Sequence, residues 1–152
     1  MSTQCTYMMK ISRKADYALR ATIFLSNQPI NKVHLISEIS NATGVSKDFM
    51  AKILKDLSVR GLVKAQKGAN GGYKLSVPSN EISFKDVVEA IEGPIEINEC
   101  VPDANFCTRV GSCEMYFVWN KAYKAVADVL EKTKISDLTE LENKPKKSVA
   151  IS

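Results

Sequence analysis

The chain has 152 residues, of which 45% are hydrophobic and 25% charged, and its formal net charge is +4. This length suffices for one small domain with an appendage but not for two ordinary cores. No apolar run is long enough to cross a bilayer, and residues 1–9 lack the pattern of a secretion signal, so we expect a cytoplasmic protein with no membrane partner.

The charges divide the chain into a basic part and an acidic part. Residues 10–74 contain twelve Lys or Arg against four Asp or Glu, whereas residues 75–152 contain nine against thirteen. A basic half suits phosphate backbones, and an acidic half should face away from them. Charge alone does not separate this interpretation from a solvated surface whose charges happen to segregate.

Three helices followed by a hairpin are predicted in the first half. Apolar residues at helical spacing predict helices over about 12–27, 33–42 and 47–60. The second should turn Leu35, Ile36 and Ile39 inward, and Ser46 should cap the third. Extended segments at 62–66 and 73–77 enclose a Gly-rich loop. This order predicts a helix-turn-helix with a wing.

In a helix-turn-helix the second helix enters the major groove, and a glycine-rich wing can approach the DNA backbone. The alternative is a protein-interaction module, but the element order, the basic half and the wing together favour DNA. The residues predicted to contact DNA are Ser46, Lys47, Asp48, Phe49, Lys52, Lys67, Asn70, Gly71 and Gly72.

The second half is predicted to carry a sensor loop and a long helix. Ser83 and Asp86 resemble a capping box that opens a helix to Glu92. A loop follows over about 95–112, and a long helix over 113–132 carries a broad apolar stripe that requires a partner. The predicted divisions are 1–9 (flexible leader), 10–80 (winged helix-turn-helix), 81–112 (linking helix and loop), 113–142 (dimerisation helix and C-terminal segment) and 143–152 (flexible tail).

Three of the four cysteines fall in that loop or directly at its end. Cys100, Cys107 and Cys113 are separated by six and five residues, and disulfides are disfavoured in a cytoplasmic chain. Zinc sites usually contain closely paired ligands, whereas three thiolates in a longer loop suit an iron-sulfur cluster with a fourth ligand from elsewhere. The alternative is inert or incidental thiols. Cys5 is expected to be incidental, and His34 a surface residue.

Four separated motifs resemble one family of regulators. They are residues 14–20 (KADYALR), the helix-turn-helix, the wing residues 68–75 (GANGGYKL) and the three-cysteine loop. Their order along the chain resembles that of the Rrf2 family of winged-helix transcriptional regulators, which includes IscR, NsrR and RirA types. The resemblance covers about residues 9–141. The fold class implied is mainly α, with a small β-hairpin wing and a long dimerisation helix.

The resemblance implies a homodimer on a palindromic DNA operator and a cluster bound by Cys100, Cys107 and Cys113. The cysteine spacing leaves the cluster type open, and Asp16 favours 4Fe-4S over 2Fe-2S. Asp16 stands where NsrR-like members place a ligand from the partner subunit, whereas Tyr116 occupies the place of the histidine that IscR-like members use. Nitric oxide, oxygen or iron limitation is then expected to destroy the cluster and to release or retarget a repressor.

The sequence leaves other functions open as alternatives. Some relatives regulate without a cluster, so a metal-free sensor that uses thiols or a partner protein is an alternative. A purely structural interaction module is a further possibility. We expect no enzyme, because no pairing of nucleophile and base and no phosphate-binding loop is evident in the sequence.

Overall fold

The computed structural model describes residues 11–101 and 103–142, so the predicted leader and the predicted tail lie outside the described residues. It is mainly helical with one two-stranded antiparallel hairpin, which confirms the predicted fold class. The elements are α1 (Arg13–Ser26), α2 (Ile36–Thr43), α3 (Lys47–Val59), β1 (Val63–Gln66), β2 (Gly72–Leu75), α4 (Phe84–Glu92), α5 (Glu114–Lys132) and α6 (Ile135–Glu142).

Local capping accounts for the starts of α1 and α3 and for the end of α2. The Ser12 hydroxyl accepts a hydrogen bond from the Ala15 amide at 3.2 Å, and the Ser46 hydroxyl accepts one from the Phe49 amide at 3.4 Å. Each bond satisfies an amide that the first helical turn leaves without a partner. Gly44 ends α2 with a φ of 70°, in the left-handed region that glycine adopts without strain.

The predicted start of the second helix was wrong. Residues 33–35 are extended instead, because the backbone of His34 pairs with that of Tyr73 in an antiparallel bridge. The His34 amide donates to the Tyr73 carbonyl at 2.9 Å, and the Tyr73 amide donates back at 2.8 Å. This pairing buries His34, which is 3% exposed rather than on the surface, and leaves Leu35 52% exposed rather than inward.

The hairpin has the predicted position and shorter strands. Val63 pairs with Leu75 and Gln66 with Gly72, so β2 ends at Leu75 rather than at 77. Val63 is fully buried, whereas the rest of β1 is exposed. The hairpin therefore attaches to the core at its base and projects into solvent toward its turn.

The hydrophobic core lies around α1, which packs against α2, α3, α4 and α6. Ala15, Ala18 and Ala21 are completely buried on α1, and their small side chains let neighbouring helices approach closely. The other fully buried large side chains of the core are Ile39, Met50, Ile53, Leu54, Leu57, Val63, Ile82, Val87 and Ile135.

Helix α6 was not predicted as a helix. A short extended stretch before it pairs with the start of α4: the Phe84 amide donates to the Thr133 carbonyl at 2.8 Å, and the Ile135 amide donates to the Ile82 carbonyl at 2.9 Å. This pairing buries Ile135 and returns the chain to the core. Helix α5 connects the cysteine loop to this extended stretch. None of the described helices is long and apolar enough to cross a membrane.

Leu57→Ala in α3 should lower the free energy of unfolding by about 2–5 kcal/mol, because it removes a fully buried side chain and leaves a cavity. Val59→Ala is the matched control, since Val59 is 77% exposed two residues further along the same helix and should change stability little. Urea unfolding of both variants measures the difference. Equal destabilisation would contradict the packing described for α3.

Candidate nucleic-acid interface and cysteine loop

The first turn of α3 presents polar side chains to solvent while its opposite face enters the core. Ser46, Lys47, Asp48 and Lys52 are all exposed, as a groove-facing surface requires. Phe49, which was also predicted to contact DNA, is half-buried and packs against the core. Most of the residues at and near the start of α3 that were predicted to contact DNA are therefore exposed to solvent.

Two contacts hold α3 against α1. The Lys14 ammonium lies 2.5 Å from an Asp56 carboxylate oxygen, joining the start of α1 to the second half of α3. The rings of Tyr17 and Phe49 meet edge to face with centroids 6.1 Å apart. The orientation of α3 therefore depends on α1, and Phe49 is a link between the two helices.

The predicted wing residues divide into exposed and backbone-packed groups. Lys67 and Asn70 are exposed near the turn. A Cβ on Gly71 would lie 2.6 Å from the Gln66 carbonyl oxygen, and a Cβ on Gly72 would lie 2.3 Å from the His34 carbonyl oxygen. Both glycines therefore have a role inside the fold, because no side chain fits where the hairpin closes and where it meets residues 33–34.

His34 is the buried centre of that junction. Its Nδ1 lies 3.2 Å from Glu38 Oε2, and its ring meets Phe24 edge to face at 5.4 Å between centroids. Its Nε2 is buried with no hydrogen-bond partner in the described part of the chain. His34 is therefore a buried residue at the junction between the hairpin and residues 33–34.

Asp16 is exposed at the first turn of α1 and faces Arg20. The Arg20 guanidinium lies 3.0 Å from the Asp16 carboxylate and 5.8 Å from the centre of the Tyr17 ring. Arg20 was not singled out from the sequence, although its spacing four residues after Asp16 is a signal for this ion pair. Because Tyr17 contacts Phe49, a continuous series of contacts runs from Asp16 to α3.

The three predicted cysteine ligands lie on the loop between α4 and α5. Cys100, Cys107 and Cys113 are free thiols and each is partly exposed. Across residues 11–101 and 103–142, no three His, Cys, Asp or Glu side chains form a group that could hold a metal ion. Within one chain, therefore, the structure does not bring these cysteines and Asp16 together as a complete site.

The loop is held by short turns. Among its described residues from 96 to 112, the backbone hydrogen bonds each join residues three apart: Val101 to Asn98, Phe106 to Asp103, Val110 to Cys107, and Ser112 to Arg109. Such local bonds can re-form in other arrangements, so a change of loop conformation costs little compared with opening the core.

Helix α5 contacts α4 near the C-terminal end of α5. Several apolar side chains of α5 are exposed to solvent. Lys85 of α4 pairs with Glu131 at 3.5 Å. Burial by itself lowers the pKa of Lys85, but the carboxylates of Glu89 and Glu131 outweigh it and raise the pKa above its usual value, so the ammonium stays charged.

The large apolar side chains that are exposed on α5 are Met115, Phe117, Val118, Trp119 and Val129.

Comparison with known proteins shows to which family the chain belongs. A three-helix unit with a hairpin wing and an exposed helix face defines a winged-helix regulator. Residues 11–141 match the family described as "Rrf2: Iron-dependent Transcriptional regulator". The chain belongs to the Rrf2 family of transcriptional regulators.

Solved structures agree with this assignment. CymR (YrzC), the global cysteine regulator of B. subtilis, is 29% identical with a TM-score of 0.72, over 88% of this chain and 98% of that one. The oxidised form of Staphylococcus aureus CymR is 31% identical with a TM-score of 0.67, over 87% and 97%. IscR of T. potens, 23% identical over 91% and 93% with a TM-score of 0.67, shares the fold. The family and these neighbours are transcriptional regulators rather than enzymes.

Gly72→Ala should force the wing away from residues 33–34, because the new Cβ would overlap the His34 carbonyl. We expect a loss of about 1–3 kcal/mol in the free energy of unfolding and faster amide hydrogen exchange at His34 and Tyr73. Gly111→Ala is the control, since a Cβ there meets nothing within 4 Å. Unchanged exchange at both amides in Gly72→Ala would show that this junction does not hold the wing.

Proposed function

We propose that this regulator is a cytoplasmic homodimer that binds a palindromic DNA operator, acts as a repressor, and is controlled by an iron-sulfur cluster at the three-cysteine loop. The observation that carries the proposal is the placement of three free cysteines on one exposed loop, between the winged domain and a helix with an uncovered apolar face. The predicted division into a winged helix-turn-helix, a linking helix with the cysteine loop, and a dimerisation helix with a C-terminal segment is retained as part of this proposal.

DNA contact is proposed for α3 and the wing. The exposed residues Ser46, Lys47, Asp48 and Lys52 would face the major groove, and the wing turn with Lys67 and Asn70 would reach the backbone or minor groove beside it. Gly71 and Gly72 support the wing by close backbone packing. Phe49 contributes mainly by setting the position of α3.

Dimerisation is proposed through α5. Large apolar side chains are exposed near its N-terminal end, and a helix that exposes such side chains is stabilised by burying them against another surface. A second copy of the chain is the partner that a two-fold operator requires, because each half-site receives one winged domain.

The donor set fits an iron-sulfur cluster in its chemistry. Iron-sulfur clusters are held by cysteine thiolates, and the three thiols are free and partly exposed. The local turns of the loop allow it to gather them. Asp16 is exposed on another element, which suits a carboxylate contributed to the partner subunit's loop. When bound, such a cluster supplies a centre that nitric oxide, oxygen or iron shortage can destroy.

The residues around Asp16 can connect this site to DNA binding. Arg20 pairs with Asp16 and lies over Tyr17, and Tyr17 contacts Phe49 of α3. An Asp16 carboxylate engaged at the partner's loop would no longer hold Arg20 in this position. The spacing of the two α3 helices would then depend on whether Asp16 is engaged, and operator affinity depends on that spacing.

Protein purified without oxygen should show a broad visible absorption band with matching iron and sulfide, and Cys100→Ala should abolish it, because each thiolate is needed as a ligand. Cys5→Ala is the control and should keep the band, since Cys5 is outside the loop. Asp16→Ala should keep iron but change the spectrum or its decay on exposure to nitric oxide. Colourless wild-type protein that resists reconstitution would exclude the cluster.

Val118→Glu should shift the protein from dimer to monomer in size-exclusion chromatography with light scattering. An unpaired charge at the buried dimer face should raise the dissociation constant by on the order of a hundredfold or more. Val118 is already exposed in the single chain, so the fold itself should persist. Lys121→Glu, an exposed change on the same helix, should leave the dimer intact. A dimeric Val118→Glu protein would place the interface elsewhere.

A cluster-free sensor that uses thiols or a partner protein is the second candidate. It is favoured by the absence of a complete metal site among the described residues of one chain and by the similarity to CymR, described for B. subtilis as a global cysteine regulator. Colourless wild-type protein whose operator affinity changes on oxidation of Cys100, Cys107 or Cys113 would support this candidate.

A further inference from the structure

We propose that the cavity between the end of α1 and the base of the wing binds a small organic carboxylate with an apolar body. The cavity has a volume of about 380 Å³, and its lining comes from residues 25–32 and residues 74–80. Small-molecule sites in proteins typically measure about 300–1,000 Å³, so this one suits a small ligand. None of its lining residues belongs to the cysteine loop or to α3, and the inference does not depend on the proposed function.

A tight turn forms one wall of the cavity. The Lys32 amide donates to the Pro29 carbonyl at 3.1 Å, and Asn31 inside this turn has a φ of 70°. Asparagine adopts this left-handed region more readily than most residues with a side chain. The Lys74 ammonium, which comes from the opposite wall, donates to Asn31 Oδ1 at 3.5 Å. A hydrogen bond therefore joins the two walls and places the Lys74 ammonium at the cavity.

The cavity lining contains positive charges and no negative ones. Lys32 and Lys74 both line it, and none of its lining residues is Asp or Glu. Neither lysine forms an ion pair within the part of the chain that the structure describes. Residues 17–37 and 57–80, which include the whole lining, contain no Asp or Glu. An ammonium whose partner is a neutral amide is stabilised further by a carboxylate, so the cavity favours an anion.

Apolar side chains form much of the remaining lining. Leu25 belongs to the hydrophobic core, whereas Ile30 is 90% exposed and Val77 is 36% exposed at the cavity. Covering these exposed side chains with the hydrocarbon part of a ligand removes apolar surface from water. Inorganic phosphate would leave them uncovered. A carboxylate with a branched or aromatic apolar body therefore fits both kinds of lining residue.

The cavity adjoins the junction that fixes the wing to residues 33–34. Lys32 lies two residues before His34, and Lys74 directly follows Tyr73. His34 and Tyr73 exchange two backbone hydrogen bonds. A ligand that contacts both walls would hold the two stretches together and disfavour opening of this junction. Occupation of the cavity would thus stabilise the position of the wing beside α1.

NMR titration of the isotope-labelled full-length protein with isocaproate and with phenylacetate tests the site. Both carboxylates should shift the amide signals of Asn31, Lys32 and Lys74, with dissociation constants below about 1 mM. Amide hydrogen exchange at His34 and Tyr73 should slow when either is bound. Isocaproamide, which lacks the charge, and acetate, which lacks the apolar body, should each bind at least about tenfold more weakly.

Two variants separate the contributions of charge and apolar contact. Lys74→Gln should weaken isocaproate binding by on the order of tenfold, because it removes a charged hydrogen-bond donor. Lys64→Gln is the matched control, since Lys64 lies directly across the hairpin from Lys74 and does not line the cavity. Ile30→Ser should weaken isocaproate binding by on the order of tenfold and leave acetate binding unchanged. Its melting temperature should stay the same, because Ile30 is already exposed.

Absence of shifts around the cavity with both carboxylates would overturn the site, and so would an equal loss of binding in Lys64→Gln and Lys74→Gln. Equal affinity for isocaproate and isocaproamide would overturn the assignment to an anion. Equal affinity for isocaproate and inorganic phosphate would overturn the role of the apolar side chains. These measurements need neither DNA nor a cluster, so their failure is distinguishable from a failure of the proposed function.

Discussion

Helix α1 is packed on several sides by other helices, and the small side chains on its buried face determine how closely they approach. Ala15, Ala18 and Ala21 are fully buried, and α2, α3, α4 and α6 all contact this helix. A larger side chain at any of these positions would push a neighbouring helix outward and displace everything that this helix positions. The exposed side of α1 carries Asp16, so the helix that organises the core also holds the residue proposed to complete the sensor.

In the proposed function, this arrangement connects the cysteine loop to the DNA-binding helix through α1. Lys14 fixes one part of α1 to Asp56, while Tyr17 touches Phe49 at the start of α3. A rigid helix between the two sites transmits a shift at one end to the other, and operator binding by a dimer is sensitive to small changes in the spacing of its recognition helices. The backbone hydrogen bonds of the loop are local, whereas the helices of the winged domain share one packed core.

Regular elements with strong local signals were predictable from the sequence. The capping residues Ser46 and Ser83, the periodic apolar positions of α1 and α3, and the Gly-rich hairpin turn all act over a few residues, and the structure contains each of these elements. Helix α6 was missed because it is short, and its position depends on pairing of residues 133–135 with 82–84. The cysteine loop was located from spacing, but the proposed fourth ligand, Asp16, lies far from it in the sequence, where spacing carries no information.

The sequence by itself determined the order of the elements, the basic character of the winged half and the identity of the candidate ligands, because these follow from residue types and short-range periodicity. Only the tertiary structure decided the environments of individual side chains. Residues 33–35 have a helical pattern, yet two backbone hydrogen bonds to Tyr73 hold them extended and bury His34. Gly72 is required by that same contact. Both depend on residues about forty positions apart, a separation at which local propensity carries no information about contact.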